Sequence, residues 1–188
     1  DEVPAAFELA RSVQKPVLID FWATGCKGCE RMDAVTYQDP AVHACLNEHY
    51  VVVKYHTSNI TKGFSNAFLT SALLWSPAFF IYAPDGAVVR NVTGYLPPRQ
   101  FIMELSLGKA MLLMRRGKAA EAGGLLAGLE GTAAYPALEQ EALYWAGVAA
   151  FFANRKQMEA LRPYWNELIA RYPGSLWAER ADILPVAV

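Results

Sequence analysis

The stretch VLIDFWATGCKGCERM, residues 17–32, joins a nearly continuous apolar run to a segment of helical character. An apolar run of this kind is typical of a central β-strand that is buried on both faces. Cys26 and Cys29 lie where the strand would turn into the helix, with Lys27 and Gly28 between them. Such a pair could be a redox couple, half of a zinc site or a structural disulfide.

The position of the two cysteines at a helix start favours redox chemistry. Residues three apart on a helix lie on one face with Cβ atoms about 5–6 Å apart, so small rotamer changes bring two sulfurs to bonding distance. We expect the helix dipole, free backbone N–H groups and the charge of Lys27 to stabilise the thiolate of Cys26. Cys29, one turn into the helix, is expected to be more buried and slower to attack other molecules.

A zinc site would need further ligands besides this pair. The other candidates are Cys45, His43, His49 and His56, which form no second paired motif. We therefore favour a redox pair with no metal, and we expect Cys45 to be a core residue on its helix face.

Composition and charge narrow the class of protein. The 188 residues are 54% hydrophobic and carry a formal net charge of −1, which excludes a disordered chain. Because there is no basic or acidic run, nucleic acid and anionic membrane are not expected as partners. The longest apolar run, residues 142–153, is shorter than the roughly 20 residues of a membrane-spanning helix, so we expect no membrane span in this chain.

Residues 1 to about 100 alternate between strand and helix patterns. Strands are predicted over 51–55 and 78–82, and a third over 88–92 closes a hairpin with the second. Asp39-Pro40 predicts a helix start, with an N-cap and a first-turn proline, and residues 64–74 predict a further helix. This alternation predicts an α/β domain with a mixed sheet.

The strand and the cysteine pair together resemble the redox motif of the thioredoxin family. The buried run Val17–Ala23, which contains Asp20, is followed by Cys26-x-x-Cys29. Later landmarks come in the same order: Lys54 at a strand end, Ser76-Pro77-Ala78-Phe79-Phe80, the turn Asp85-Gly86, and Gly94. The resemblance covers about residues 5 to 105 and implies a thioredoxin fold, a mixed central sheet flanked by helices.

The segment Thr36–Val42 is similar to one thioredoxin-like subgroup in particular. That subgroup includes the thioredoxin-like domain of membrane-bound thiol:disulfide interchange reductases of the bacterial periplasm. This resemblance implies a thiol-disulfide oxidoreductase that acts on protein thiols and disulfides, more as a reductant than as an oxidant. It also implies a periplasmic or otherwise extracytoplasmic setting, and no cofactor beyond the redox-active disulfide.

The resemblance implies a role for each matching residue. Cys26 would be the nucleophile and Cys29 the resolving thiol. Asp20, buried beneath the pair, would help to accept the proton of Cys29, and Lys54 would tune it. A cis peptide bond before Pro77 would place the Ser76 backbone beside the sulfurs, ready to pair with an extended substrate.

The substrate side of the site would also include Trp22, Gly25, Lys27 and Gly28. Three of these positions depart from the family pattern, in two places. Gly25 stands where thioredoxins usually carry tryptophan, and Lys27-Gly28 stands where they usually have Gly-Pro. Since reduction potential responds to how far the thiolate is stabilised, these departures bear on the direction of electron flow.

Residues 107–188 are predicted to be all helical and to follow a thioredoxin-like domain over 1–106. Helices are predicted over 118–129, 137–153, 157–171 and 176–184, with Pro163 kinking or restarting the third. Tyr135-Pro136 recurs 37 residues later as Tyr172-Pro173, which resembles tetratricopeptide repeats. The extension could be a docking surface for a protein partner or a structural addition. If docking were its main task, the chain would be an adaptor whose thioredoxin fold is a scaffold.

Overall fold

The computed structural model describes residues 2–69, 72–129 and 134–183. The chain divides into two compact units, Asp1–Gly108 and Lys109–Val188. The division falls within the long helix Pro98–Arg115, as does the predicted boundary after residue 106.

The first unit is built on a mixed β-sheet. In the described part of the chain its strands are β1 (Val17–Trp22), β2 (Val51–His56), β3 (Ala78–Tyr82) and β4 (Val88–Thr93). They lie in the order β2-β1-β3-β4, with β1 parallel to β2 and antiparallel to β3, and β3 and β4 forming an antiparallel hairpin. The mixed sheet and its flanking helices confirm the predicted fold class.

The helices of this unit, in chain order, are α1 (Glu2–Val13), α2 (Lys27–Ala34), α3 (Pro40–His49), α4 (Lys62–Phe68) and the first part of α5 (Pro98–Arg115). Short 3-10 turns occupy Thr36–Gln38 and Thr57–Asn59. As predicted, Asp39 caps α3, where its carboxylate accepts hydrogen bonds from the N–H groups of Ala41 and Val42. The helix predicted over 64–74 differs at both ends, since α4 begins at Lys62 and ends at Phe68. Thr70 and Ser71, which fall in the predicted range, lie outside the described residues.

The alternation of side chains along β1 positions the functional residues. Val17, Ile19 and Phe21 pack in one core cluster with α1, whereas Leu18 packs in another with residues of α2, α3 and α5. Because successive residues of a strand point to opposite faces, Asp20 shares the face of Leu18. In the strand register Lys54 of β2 lies next to Asp20, which brings the two predicted residues to one face of the sheet.

The second unit is helical in its described residues. Its helices are α6 (Ala119–Ala127), α7 (Pro136–Ala153), α8 (Arg162–Arg171) and α9 (Leu176–Ala181), with a 3-10 turn at Met158–Leu161 before α8. Pro163 lies in the first turn of α8, so it starts a new helix instead of kinking one. These helices confirm the predicted helical extension, while its kinship with tetratricopeptide repeats stays a prediction. Among the described residues, no helix has the length and apolarity that crossing a bilayer requires.

Tyr172, the tyrosine of the second Tyr-Pro pair, has a structural role in this second unit. The carboxylate of Glu139 in α7 is fully buried and accepts hydrogen bonds of 2.6 Å from the Arg171 guanidinium and from the Tyr172 hydroxyl. Since a buried charge needs both an opposite charge and hydrogen bonds, this contact ties the end of α8 to the start of α7.

Candidate functional site

The two cysteines of the quoted stretch form a disulfide at the start of α2. Cys26 is the N-cap residue and its Sγ accepts a hydrogen bond of 3.1 Å from the backbone N–H of Cys29, while the two Cα atoms are 5.3 Å apart. Cys29 is buried, with 6% of its surface exposed, and Cys26 is only half-buried. An N–H group aimed at the Cys26 sulfur stabilises negative charge there, so this sulfur is the better placed of the two to be an accessible thiolate.

Gly25 allows the turn between β1 and α2. Its φ of +73° lies in the left-handed region that favours glycine, and the chain turns there so that the Cys26 N–H donates to the Ala23 carbonyl. The local backbone therefore favours glycine at the position where thioredoxins usually have tryptophan.

Pro77 lies directly against the cysteine motif. The Ser76–Pro77 peptide bond is cis, Pro77 is buried, and its carbonyl accepts a hydrogen bond of 2.8 Å from the N–H of Gly94. A Cβ atom added to Gly28 would lie 2.7 Å from Cδ of Pro77. The second residue between the cysteines must therefore be small for the proline loop to approach this closely.

We expect Gly28→Ala to destabilise the first unit by about 1–3 kcal/mol, because the added methyl group would overlap the Pro77 ring and push the proline loop away from α2. Gly63→Ala is the matched control: it is also helical and its added Cβ would meet only Oγ1 of Thr61, at 3.7 Å. The measurement is native-state hydrogen exchange of the β1 and β3 amides, which reports on this unit alone. Equal exchange rates in the two variants would contradict the close contact at Gly28.

Asp20 is a buried carboxyl group with one oxygen left without a partner. It is 2% exposed, and its Oδ2 accepts a hydrogen bond of 2.7 Å from the Tyr37 hydroxyl. Its Oδ1 is buried and accepts no hydrogen bond from the described residues. Burial raises the pKa of Asp20 to about 6, against the opposing effects of the Tyr37 hydrogen bond and the Lys54 charge, while Asp33 adds to the rise. A carboxyl group with this pKa can exchange protons near neutral pH.

The two lysines of the predicted site have carboxylate partners of their own. Lys54 forms an ion pair with Asp33, and its Nζ lies 5.4 Å from the centre of the Tyr37 ring. Lys27 is exposed and its Nζ is 2.8 Å from the Glu30 carboxylate. The charge of Lys27 is therefore offset by Glu30, and that of Lys54 is divided between Asp33 and the more distant Asp20.

Trp22 and His56 hold the chain that leads into the motif. Their rings meet edge to face with centroids 4.5 Å apart, and Nε2 of His56 is 3.2 Å from the backbone N–H of Thr24. The backbone of Thr24 is thereby fixed to the end of β2, two residues before Cys26. Trp22 is half-buried, as a packing residue at the edge of the site would be.

The sequence did not predict the roles of three residues at this site: Tyr37, Asp33 and His56. Asp33 stands four residues after Cys29, one helical turn further on, and His56 lies two residues after Lys54 on the same face of β2. Those spacings were available in the sequence. Tyr37 lies in the segment Thr36–Val42 that carried the subgroup resemblance, but no spacing indicated its contact with Asp20, which depends on the tertiary fold.

The described residues contain no group of three or more His, Cys, Asp or Glu side chains placed to hold a metal ion. Cys45, one of the zinc candidates, is half-buried against the core cluster between the sheet and α3.

A mixed sheet with a disulfide at the tip of the first helix after β1, and a proline loop against it, defines a thioredoxin-fold domain with a disulfide-exchange motif. Residues 3–109 match the family model described as the thioredoxin-like domain. The chain belongs to this family, which confirms the family resemblance of the sequence.

Similar proteins include a thiol:disulfide interchange protein DsbD of Vibrio vulnificus, 27% identical over 54% of this chain and 17% of that protein. A chloroplastic thioredoxin Y of Oryza sativa is 33% identical over 52% of this chain and 54% of its own length. Among solved structures, the oxidised C-terminal domain of Neisseria meningitidis DsbD is 26% identical, with a TM-score of 0.45. The match covers 54% of this chain and 88% of the DsbD domain. The chain thus spans only part of the curated relatives that it matches.

Proposed function

We propose that this protein is a thiol-disulfide oxidoreductase that exchanges disulfides with protein partners and acts on them as a reductant. The observation that carries the proposal is the Cys26–Cys29 disulfide at the N-terminus of α2 in a thioredoxin-like domain. Family membership and the likeness to a thiol:disulfide interchange protein support the class of reaction. The reductive direction is proposed on the resemblance of Thr36–Val42 to the reductase subgroup.

In the proposed reaction the reduced domain acts first through Cys26. Its thiolate attacks one sulfur of a partner disulfide, a Cys26–partner bond forms, and the other partner sulfur leaves as a thiolate that takes a proton from water. Cys29 then gives its proton to Asp20 and attacks Sγ of Cys26. The Cys26–Cys29 bond forms, the partner's second sulfur is released, and two electrons have passed to the partner; a protein dithiol must reduce the domain again.

The exposure of the two sulfurs supports this order of attack. Cys26 is half-buried and can meet another protein, whereas Cys29 is 6% exposed and can reach only Sγ of Cys26, once that sulfur is bound to the partner. The N–H of Cys29 points at the Cys26 sulfur and would support the thiolate in the reduced state.

We propose that the partner lies along the Ser76–Pro77 loop. The residues just before it, Leu74 and Trp75, are 86% and 72% exposed, which is unusual for large apolar side chains. They would contact apolar residues beside the partner's cysteine, while the Ser76 backbone pairs with its extended chain.

The direction of electron flow is tested by the reduction potential of the Cys26–Cys29 pair. A value near about −270 mV would support a reductant, and one near about −120 mV would identify an oxidant. We further propose an extracytoplasmic setting, on the likeness to the interchange protein and on the use of disulfide chemistry outside the cytoplasm.

A trapping experiment tests the proposed reaction itself. Reduced Cys29→Ser protein, mixed with oxidised insulin, is expected to accumulate a covalent Cys26–insulin disulfide, because no second thiol releases the partner. Intact-mass spectrometry with and without dithiothreitol detects it. Reduced Cys26→Ser protein is the matched control and should accumulate far less adduct, since Cys29 is buried. Equal adduct in both variants, or none in Cys29→Ser, would contradict the proposal.

A further inference from the structure

We propose that Tyr37 is a positioning residue for the redox reaction: its hydroxyl holds one oxygen of Asp20 so that the other stays free to accept the proton of Cys29. This inference rests on the proposed function and adds a residue to it.

The two oxygens of the Asp20 carboxyl group have different surroundings. The Tyr37 hydroxyl donates to Oδ2 of Asp20 at 2.7 Å, and Oδ1 of the same carboxyl is buried without a hydrogen-bond partner among the described residues. Buried polar atoms are nearly always paired, so this unpaired carboxylate oxygen is free to accept a proton. The family resemblance implies that it lies beneath the cysteine pair.

The surroundings of Tyr37 fix the direction of its hydroxyl. Its ring meets Phe101 edge to face, with centroids 5.9 Å apart, and Lys54 lies over the ring. The preceding residue, Thr36, is buried and donates a hydrogen bond of 2.6 Å to the Leu96 carbonyl. The 3-10 turn that carries Tyr37 is thus anchored to the segment before α5.

Charged and titratable groups face Asp20 from three elements. They are Tyr37 from the 3-10 turn, Lys54 from β2 and Asp33 from α2. Lys54 is already paired with Asp33, whose negative charge opposes ionisation of Asp20. The hydrogen bond from Tyr37 therefore does more than Lys54 to lower the pKa of Asp20 against the effect of burial.

Tyr37 itself stays a donor throughout the working pH range. Burial raises the pKa of its hydroxyl above the ordinary value, and the neighbouring Asp20 raises it further. The hydroxyl cannot lose its proton to Asp20, so it orients the carboxyl group without competing for the Cys29 proton.

The test is the pH dependence of the resolving step in full-length Tyr37→Phe protein, which keeps the ring and loses only the hydroxyl. A Cys45→Ala background limits the reaction to the redox pair. Reduced protein reacts with an aromatic disulfide reagent in two phases: Cys26 attack releases one coloured thiolate, and Cys29 attack on the mixed disulfide releases the second. Stopped-flow absorbance between pH 5 and 8 separates the two rates.

We expect the second phase to slow by about threefold to tenfold on the acid side, the effect of losing one hydrogen bond to a carboxylate. The slowing is expected at acid pH because the Tyr37 hydroxyl stabilises the Asp20 carboxylate, and its loss raises the pKa of Asp20. At a pH below that pKa, a smaller fraction of the molecules then has an ionised Asp20 that can accept the proton of Cys29. The rate should recover towards the wild-type value at the upper end of the pH range, and the first phase should stay unchanged.

Two controls make the outcome specific. Tyr50→Phe removes another buried hydroxyl, one that donates to the Leu105 carbonyl away from the site, and should leave the profile of the second phase unchanged. In an Asp20→Asn background, Tyr37→Phe should have no further effect. An unshifted profile, or slowing that is equal at every pH, would overturn the role of Tyr37. Absence of the first phase in wild-type protein would instead overturn the proposed function.

Discussion

Serine in place of Cys26 is expected to lower the rate of insulin reduction to that of the uncatalysed reaction. A serine hydroxyl is not ionised near neutral pH and cannot form the sulfur–sulfur bond through which the partner's electrons are exchanged. Cys29 cannot substitute for it, because only 6% of its surface is exposed. The measurement is the turbidity of reduced insulin with dithiothreitol as the electron donor.

Cys45→Ala is the matched control for this loss. It also removes a thiol from the first unit, but one that packs against the core and takes no part in the disulfide. Its rate should stay close to that of the wild type. If Cys26→Ser protein kept its cellular function, the chain would instead be an adaptor whose helices bind the partner and whose thioredoxin fold is a scaffold.

Asparagine in place of Asp20 is expected to stabilise the folded oxidised protein at pH 7 by about 3 kcal/mol. The pKa of Asp20 is raised from 3.8 to about 6 on folding, and each pKa unit corresponds to about 1.4 kcal/mol. The folded state binds this proton more tightly than the unfolded state does. The protonated Asp20 therefore contributes its full stabilisation below the unfolded-state pKa of 3.8, and this stabilisation is lost as the pH rises through about 6. At pH 7 the wild type therefore buries an ionised carboxylate that asparagine avoids.

The pH dependence distinguishes this effect from ordinary repacking. The advantage of Asp20→Asn should shrink between pH 6 and 4, as the wild-type carboxyl becomes protonated in the folded state. Hydrogen exchange of the β1 and β3 amides measures it in the first unit alone. A gain that did not vary with pH, or a loss at pH 7, would refute burial of an ionised group. The same variant should slow the resolving step, so stability and activity change in opposite directions.

The sequence predicted those features of the fold that depend on local pattern. The apolar run of β1, the β-branched run of β2 and the Asp39-Pro40 cap each define an element without help from the rest of the chain. Helix α1 was missed, although Val3, Ala6, Phe7 and Ala10 lie on one buried face at helical spacing. That spacing and Pro4 in the first turn both fit a helix, so the signal for α1 was present in the sequence.

The site was predictable only to the extent that family motifs describe it. The motif predicted Cys26, Cys29, Asp20, Lys54 and Pro77, but not the contacts that Tyr37 and His56 make at the site. Tyr37 meets Asp20 across 17 residues of chain, and His56 meets Thr24 across 32. Contacts of this kind depend on the packing of α2 and β2 against β1, which single-sequence periodicity does not encode.

The left-handed backbone at Gly25 also limits how the motif could be redesigned. Restoring the tryptophan usual in thioredoxins would force a bulky L-residue to a φ of +73°, at a cost of roughly 1–2 kcal/mol. A graft intended to change the specificity of this domain would avoid that cost by exchanging the backbone of the turn before Cys26 together with the side chain. A tryptophan placed on the present main-chain path would carry the kind of strain that Gln14, Arg155 and Lys156 already carry elsewhere in the chain.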